Sequence, residues 1–264
     1  MRKNQIVDFA YAAGGVGILL SILLVWQIIS ETGVVPITVF PPASSVLAVL
    51  YGQLLNGKIP WSLFATLLRL LEGYSLAALI GVLVGIPVGL SKTIETTVNP
   101  LVQFLRPMPS AVLIPLAILY FGLGGTMIIS IITYACIWPI LINTIDGVKS
   151  IDTMILDTAR EFKIDGLARI RKVIIPASFP FIFSGLRISL AIAWIVAITA
   201  EIISTASTTG IGALIYFDLN TGNLTPIYAA IIAVALAAYA LNRLFLMVES
   251  KAIPWLERSK RRSY

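Results

Sequence analysis

Side chains that could carry out chemistry are scarce in this sequence. Histidine is absent and Cys136 is the only cysteine, which rules out an internal disulfide and disfavours a zinc site or a histidine-based catalytic triad. The run GIPVGLSKT, residues 85–93, is superficially like a phosphate-binding loop, but Ser91 stands where that motif requires a glycine before the lysine. The sequence therefore contains no nucleotide-binding motif, and if ATP drives this protein, another subunit binds it.

Three residues of one long apolar segment share a spacing that could line a passage for a polar solute. Arg187, Trp194 and Glu201 recur every seven residues, which places them on one stripe of a helix about 21 Å long. A cation and a carboxylate in an apolar segment are expected to face protein or water. We predict that this stripe, with Met108 and Ser110, borders a translocation path. The alternative is that Arg187 reaches the membrane surface and Trp194 packs in a subunit contact.

Another apolar segment carries a run of small residues and two ionisable ones. The small residues recur at every fourth position, which lets a second helix approach closely: Ala77, Gly81, Gly85 and Gly89. We predict that the three glycines pack against another helix, either within a bundle or between subunits. Arg69 and Glu72 lie one helical turn apart on the same segment and are placed to pair with each other.

The elements that would position these residues are separated by one charge-dense stretch, residues 146–175. Its first part predicts an amphipathic helix with four apolar residues on one face: Ile151, Ile155, Ala159 and Phe162. Asp165 and Gly166 form a turn signal, and a second short amphipathic piece follows. Pro176 then opens a long apolar run, at a position where a helix needs no N–H. A helix, a turn and a helix between apolar segments predict a docking element.

This stretch resembles the cytoplasmic coupling loop of the permease subunits of bacterial ABC importers. That pattern is Glu-Ala-Ala, three variable residues, Gly, nine variable residues and Ile-x-Leu-Pro. It falls here on Asp157-Thr158-Ala159, on Lys163 and on the run that ends at Pro176. Because Lys163 occupies the glycine position, the turn is expected to have moved to Gly166. Further runs resemble the nitrate, sulfonate, taurine and bicarbonate branch of these permeases: Leu105–Pro109, Phe121–Gly124, Trp138–Thr144 and Gly185–Ser189.

The resemblance implies an all-α membrane protein with the type I ABC importer permease fold. It implies contact with ATPase subunits through Asp157, Thr158, Ala159, Lys163, Gly166 and Pro176. The implied partners are a second permease copy, two cytoplasmic ATPase subunits that bind ATP and Mg²⁺, and an extracytoplasmic solute-binding protein. The implied solute is small and often anionic: nitrate, an alkanesulfonate such as taurine, bicarbonate or an aromatic carboxylate. The chain itself would be no enzyme.

Composition is consistent with a membrane protein, since 58% of the 264 residues are hydrophobic and only 12% are charged. Hydropathy predicts a single transmembrane domain, 1–264, with six spans near 9–29, 62–90, 100–120, 126–143, 176–203 and 226–248. Three prolines are expected to break the third span, and Arg106 in its first turns is expected to reach the cytoplasmic surface of the membrane. Between spans we predict an interfacial helix over Ala43–Leu55 and a polar loop over Ser204–Thr225.

The basic residues indicate the orientation. Nearly all Lys and Arg outside the spans lie at the two termini, in the coupling stretch or at Lys92, whereas Lys58 alone lies on the other side. Positive residues favour the cytoplasmic side, so both termini and the coupling stretch are predicted to be cytoplasmic in a multi-pass cell-membrane protein. The net charge of +6 is therefore attributed to orientation rather than to nucleic-acid binding.

Two other classes of function fit the sequence less well than an importer subunit. A stand-alone secondary transporter or channel usually shows intramembrane acids, paired broken helices or inverted repeats, and this sequence offers few such acids and no evident repeat. A membrane-embedded enzyme would have little to work with, because histidine is absent and cysteine is single.

Overall fold

A computed structural model describes residues 2–204 and 209–252, with side chains from residue 14 onward except residue 16. These residues are almost entirely helical, and no β-strand occurs among them. In chain order the helices are α1 (Arg2–Glu31), α2 (Ala43–Leu55), α3 (Lys58–Leu90), α4 (Lys92–Leu105), α5 (Ile114–Phe121), α6 (Gly125–Lys149), α7 (Thr153–Glu161), α8 (Gly166–Arg169), α9 (Ile175–Ile203), α10 (Ile211–Asn220) and α11 (Thr225–Ala252). A 3₁₀ turn, Ser110–Leu113, precedes α5, and a π-helical turn, Ile170–Ile174, joins α8 to α9.

Four continuous helical segments of the described chain are long and apolar enough to cross a membrane: Lys58–Leu90, Gly125–Lys149, Gly166–Ile203 and Thr225–Ala252. A fifth crossing is possible if the bent pair Lys92–Leu105 and Ser110–Phe121 counts as one span. The predicted first span lies within α1, whose side chains before residue 14 are outside the described set. The chain is therefore an all-α, multi-pass membrane protein, and the sixth span stays a prediction.

The predicted third span, 100–120, is wrong in its start, whereas the break predicted at its prolines is confirmed. Helix α4 begins at Lys92, because the Ser91 hydroxyl accepts a hydrogen bond from the Ile94 N–H at 3.4 Å and caps the helix. Pro100 therefore lies inside α4 rather than at its beginning. At the prolines that follow Arg106 the chain turns by 83° into the next helix. The element is therefore two helices joined at a sharp break, as the prolines predicted.

The centre of the molecule is a three-helix core of α3, α6 and α9. Every fourth residue of α3 contacts every fourth residue of α6. The contacting pairs are Gly81 with Ile140, Gly85 with Thr144, and Gly89 with Val148. A methyl group added at Gly85 would lie 2.7 Å from the Cβ of Thr144, so only glycine permits this approach. The three predicted packing glycines thus lie in a contact within the chain, where α3 and α6 run in the same direction.

Of three other predictions, one is confirmed, one is wrong in part and one is wrong. The predicted helix Ala43–Leu55 matches α2 residue for residue. The predicted polar loop Ser204–Thr225 is wrong in part, because α10 occupies Ile211–Asn220 and buries Ile211 and Leu214. The second coupling helix is not separate either: α8 continues through the π-helical turn into α9 as one segment, Gly166–Ile203.

Candidate functional site

The coupling stretch, residues 146–175, is called the coupling segment below. It is anchored to the helix bundle by small, buried contacts. The Asp152 carboxylate accepts a hydrogen bond from the Met154 N–H at 2.9 Å and starts α7. Ile151 packs in a buried cluster with Val148 and Ile174, which belong to the neighbouring helical segments. Ala159 is also buried, at 4% exposure. This side of the segment holds it against the bundle.

The other side of the segment is an exposed apolar surface, which we call the coupling patch. It consists of Met154, Ile155, Phe162 and Leu167, exposed by 73%, 47%, 75% and 79%. The predicted apolar residues are therefore covered unequally: Ile151 and Ala159 are buried, whereas Ile155 and Phe162 are exposed. The sequence argument did not identify Met154, although a methionine beside charged residues at an exposed helix start was a usable signal.

The turn after α7 is made at Lys163, which has a φ of 55°. The N–H of Ile164 donates to the carbonyl of Ala159 and the N–H of Lys163 to that of Arg160, both at 2.9 Å. These two bonds form the Schellman arrangement that usually places glycine at the left-handed position. The expected move of the turn to Gly166 is therefore wrong, although Gly166 also has a positive φ, of 56°, where α8 begins.

The remaining pattern residues of the coupling segment have local roles in this chain. Asp157 is exposed and pairs with Arg160 at 2.9 Å, and the Thr158 hydroxyl donates to the Met154 carbonyl at 2.7 Å. Pro176 does not open a free helix end as predicted, because the helix is already continuous from Gly166. The π-helical turn before it widens the helix at the residues where a proline removes a backbone hydrogen bond.

A buried ion pair lies at the opposite end of α9. Arg69 Nη1 is 2.7 Å from Glu201 Oε1, and the Glu201 side chain has no exposed surface. The Thr66 hydroxyl donates to the same carboxylate at 2.8 Å, and the Gly212 N–H donates to it at 3.0 Å. The predicted Arg69–Glu72 pair is therefore wrong, since Arg69 binds a carboxylate far away in the sequence. Glu201 and Thr66 together satisfy the first N–H groups of α10 and fix that helix against α3 and α9.

The predicted stripe Arg187–Trp194–Glu201 does not form one open face in this chain. Arg187 is exposed, whereas Trp194 is 7% exposed and packs in the central core. Met108 is half-buried at the break after α4. Ser110 lines a cavity of about 80 Å³ together with Ile195 and Thr199 of α9, which are not residues of the predicted stripe. In the described residues, no group of three or more Asp, Glu, Cys or His side chains is arranged to hold a metal ion.

Comparison with known proteins settles the family. The family of binding-protein-dependent transport system inner membrane components matches residues 77–253, which include the second part of α3, all of α6 and α9, and the whole coupling segment. The chain belongs to this family. It is therefore a membrane component of a transport system, and we refer to it below as the permease.

Curated relatives span most of the permease. It is 32% identical to the bicarbonate transport system permease protein CmpB of Synechococcus elongatus over 248 residues, 91% of this chain and 86% of the relative. The putative aliphatic sulfonates transport permease protein SsuC of Bacillus subtilis is 32% identical over 89% of this chain and 84% of its own. The nitrate import permease protein NrtB of Leptolyngbya laminosa is 34% identical over 74% and 69%.

Solved structures identify the fold. An inward-facing structure of the MetNI methionine ABC transporter matches with a TM-score of 0.58 at 17% identity, covering 73% of this chain and 96% of that one. An amino acid ABC transporter matches with a TM-score of 0.53 at 18% identity, covering 78% and 97%. The permease thus has the type I ABC importer fold, as the coupling-loop resemblance implied.

Proposed function

We propose that this permease is the membrane-spanning subunit of an ATP-driven importer for a small anionic solute. The coupling patch is the observation that carries the proposal. Phe162 and Leu167 expose three quarters or more of their side chains on a segment that is otherwise firmly anchored, which is typical of a surface that a protein partner covers. The partner that fits is an ATPase subunit, because the permease has no nucleotide-binding motif of its own.

The mechanism follows from the continuity of the helices. A push on the coupling patch acts on α7 and α8, and the buried Ile151 and Ile174 pass it to the core. Helix α9 is continuous with α8, so displacement of the patch tilts a segment that crosses the membrane. Closure of two ATPase subunits around ATP and Mg²⁺ would rock such segments in two permease copies and exchange outward for inward access.

The solute class is inferred from the relatives. Those reported above are named for bicarbonate, aliphatic sulfonates and nitrate, which are all small oxyanions in water. In the proposed cycle an extracytoplasmic binding protein captures the anion and delivers it to the side of the membrane opposite the coupling patch. The solute binds to the permease and not to the ATPase.

Co-purification and uptake test this proposal. The tagged permease, expressed with the genes beside its own, should bring down an ATPase subunit, and the complex in liposomes should take up a radiolabelled oxyanion only with ATP and the binding protein. Uptake at the same rate by the permease alone would instead establish a stand-alone transporter or channel.

A further inference from the structure

A line of polar side chains follows one face of α4 and ends at the break. Asn99, Gln103 and Arg106 follow one another at helical spacing, so they lie on one face. All three are exposed in this chain and line a groove of about 580 Å³ together with Pro107 and Ile142. The groove therefore combines one cation, two amides and an apolar wall.

Two contacts place Arg106 at the end of α4 that is remote from its charged end. At one end of α4, Glu95 Oε1 lies 2.7 Å from Lys149 Nζ, in a charged cluster suited to a membrane surface. At the other end, the Tyr134 hydroxyl donates to the carbonyl of Leu105 at 2.7 Å. The distance along α6 from Lys149 to Tyr134 is about 22 Å, out of a hydrocarbon thickness of ~30 Å. Arg106 follows the last turn of α4 and does not lie in the first turns of the span, so the expectation that it reaches the cytoplasmic surface is wrong.

Within residues 14–204 and 209–252, Arg106 has no counter-charge. None of the ion pairs among the described residues includes it, and its side chain makes no hydrogen bond within that part of the chain. The amides of Asn99 and Gln103 likewise make no side-chain hydrogen bond there. Ionised groups within the hydrocarbon layer are usually paired or face a water-filled cavity that serves function. The guanidinium of Arg106 and the amides of Asn99 and Gln103 thus line one groove with N–H groups that no described residue accepts.

We propose that Arg106, Asn99 and Gln103 form a binding site for a small oxyanion. The planar guanidinium donates two parallel N–H bonds to two oxygens of one anion, as it does to carboxylates and phosphates. The two amides add N–H donors at the edge of the anion, while Ile142 and Pro107 provide an apolar wall. The site rests on the proposed function, because it gives the translocated anion a place to bind inside the membrane.

Charge-selective labelling of a cysteine in the groove tests the site without any partner subunit. The background is the full chain in nanodiscs with Cys136→Ala and Ile142→Cys, which leaves the three polar residues intact. The probes are an anionic ethylsulfonate and a cationic trimethylammonium-ethyl methanethiosulfonate, which are similar in size. We expect the sulfonate to react faster, and Arg106→Gln to lower the anion-to-cation rate ratio about tenfold. Arg106→Lys should keep part of the preference.

Protection by anions completes the test, at constant ionic strength set with chloride. Nitrate, bicarbonate and methanesulfonate should slow the labelling of the cysteine introduced by Ile142→Cys, and they should leave that labelling unchanged once Arg106→Gln is added. Arg243→Gln is the matched control, since Arg243 is an exposed arginine held on Tyr239 elsewhere in the permease.

Three outcomes would overturn the proposal: a rate ratio unaffected by Arg106→Gln, labelling unaffected by all three anions, or a cysteine that neither reagent reaches because another chain fills the groove. Each can occur while the permease still binds an ATPase and takes up solute. Failure of the site is thus distinguishable from failure of the proposed function.

Discussion

At the scale of single residues, Lys163 holds a backbone conformation that suits glycine. A residue with a Cβ pays ~1–2 kcal/mol at a left-handed φ, whereas glycine adopts it freely. We expect Lys163→Gly to stabilise the permease by about 0.5–1 kcal/mol after the added chain entropy of glycine, and to raise the apparent melting temperature by roughly 1–4 °C. Thermal unfolding in detergent, followed by tryptophan fluorescence, measures the shift.

Lys163→Ala is the control for that change. It removes the same charge and the same side-chain length but keeps a Cβ, so the strain at φ 55° remains. An equal gain from alanine and glycine would show that the lysine side chain, and not the backbone angle, limits stability.

The Arg69–Glu201 pair predicts that the stability losses caused by changing its two residues are not additive. Removing one partner leaves the other charge buried and unpaired, which typically costs ~3–5 kcal/mol. Arg69→Met alone should therefore lower the melting temperature strongly, because the fully buried Glu201 keeps only Thr66 and the Gly212 N–H. The double variant Arg69→Met with Glu201→Gln should lie closer to the parent than Arg69→Met does. A double-mutant cycle of melting temperatures measures the coupling, and additive losses would contradict it.

At the scale of elements, the contact between α3 and α6 depends on glycine at each crossing. Gly85→Ala would place a methyl group 2.7 Å from the Thr144 Cβ, so we expect a loss of ~1–3 kcal/mol from overpacking. Gly52→Ala is the matched control, because Gly52 lies in helix α2 with no atom within 4 Å of the added Cβ and should gain up to ~1 kcal/mol. Melting temperatures decide, and Thr144→Gly should restore part of the loss at Gly85.

Local signals in the sequence locate elements better than contacts between them. The spacing of Val46 and Leu50 is enough to predict α2, whereas α10 escapes prediction because its Ser-, Thr- and Gly-rich flanks are typical of a loop. The sequence favours Glu72 as the partner of Arg69 because only neighbours one turn apart are visible in a sequence. The true partner, Glu201 on α9, meets Arg69 on α3 only after these two helices pack. In the coupling segment, apolar spacing locates the helix but cannot say which apolar residues a neighbouring helix covers.

At the scale of the whole molecule, the orientation in the membrane follows from charge asymmetry. Both termini and the coupling segment are predicted to be cytoplasmic, and the turn at Thr221 after α10 to be outside. A reporter active only outside should be silent when fused after Tyr264 and active when inserted at Thr221. The reverse pattern would show that the permease has the opposite orientation in the membrane. Part of the basic tail counted in this argument, residues 253–264, lies outside the described residues.

The central claim is tested most directly by ATP hydrolysis in the assembled complex. The variant carries Phe162→Asp and Leu167→Asp, which put charges on two of the four residues of the coupling patch. Both side chains are exposed, so the permease should insert and elute normally, yet solute-stimulated hydrolysis should fall at least about tenfold because a charge must be buried against the ATPase. Ile94→Asp is the matched control, since Ile94 is 41% exposed in the first turn of α4, on the same side of the membrane as the coupling patch but outside it, and this variant should hydrolyse ATP at the parent rate. Parental stimulation and solute uptake in the patch variant would contradict the central claim.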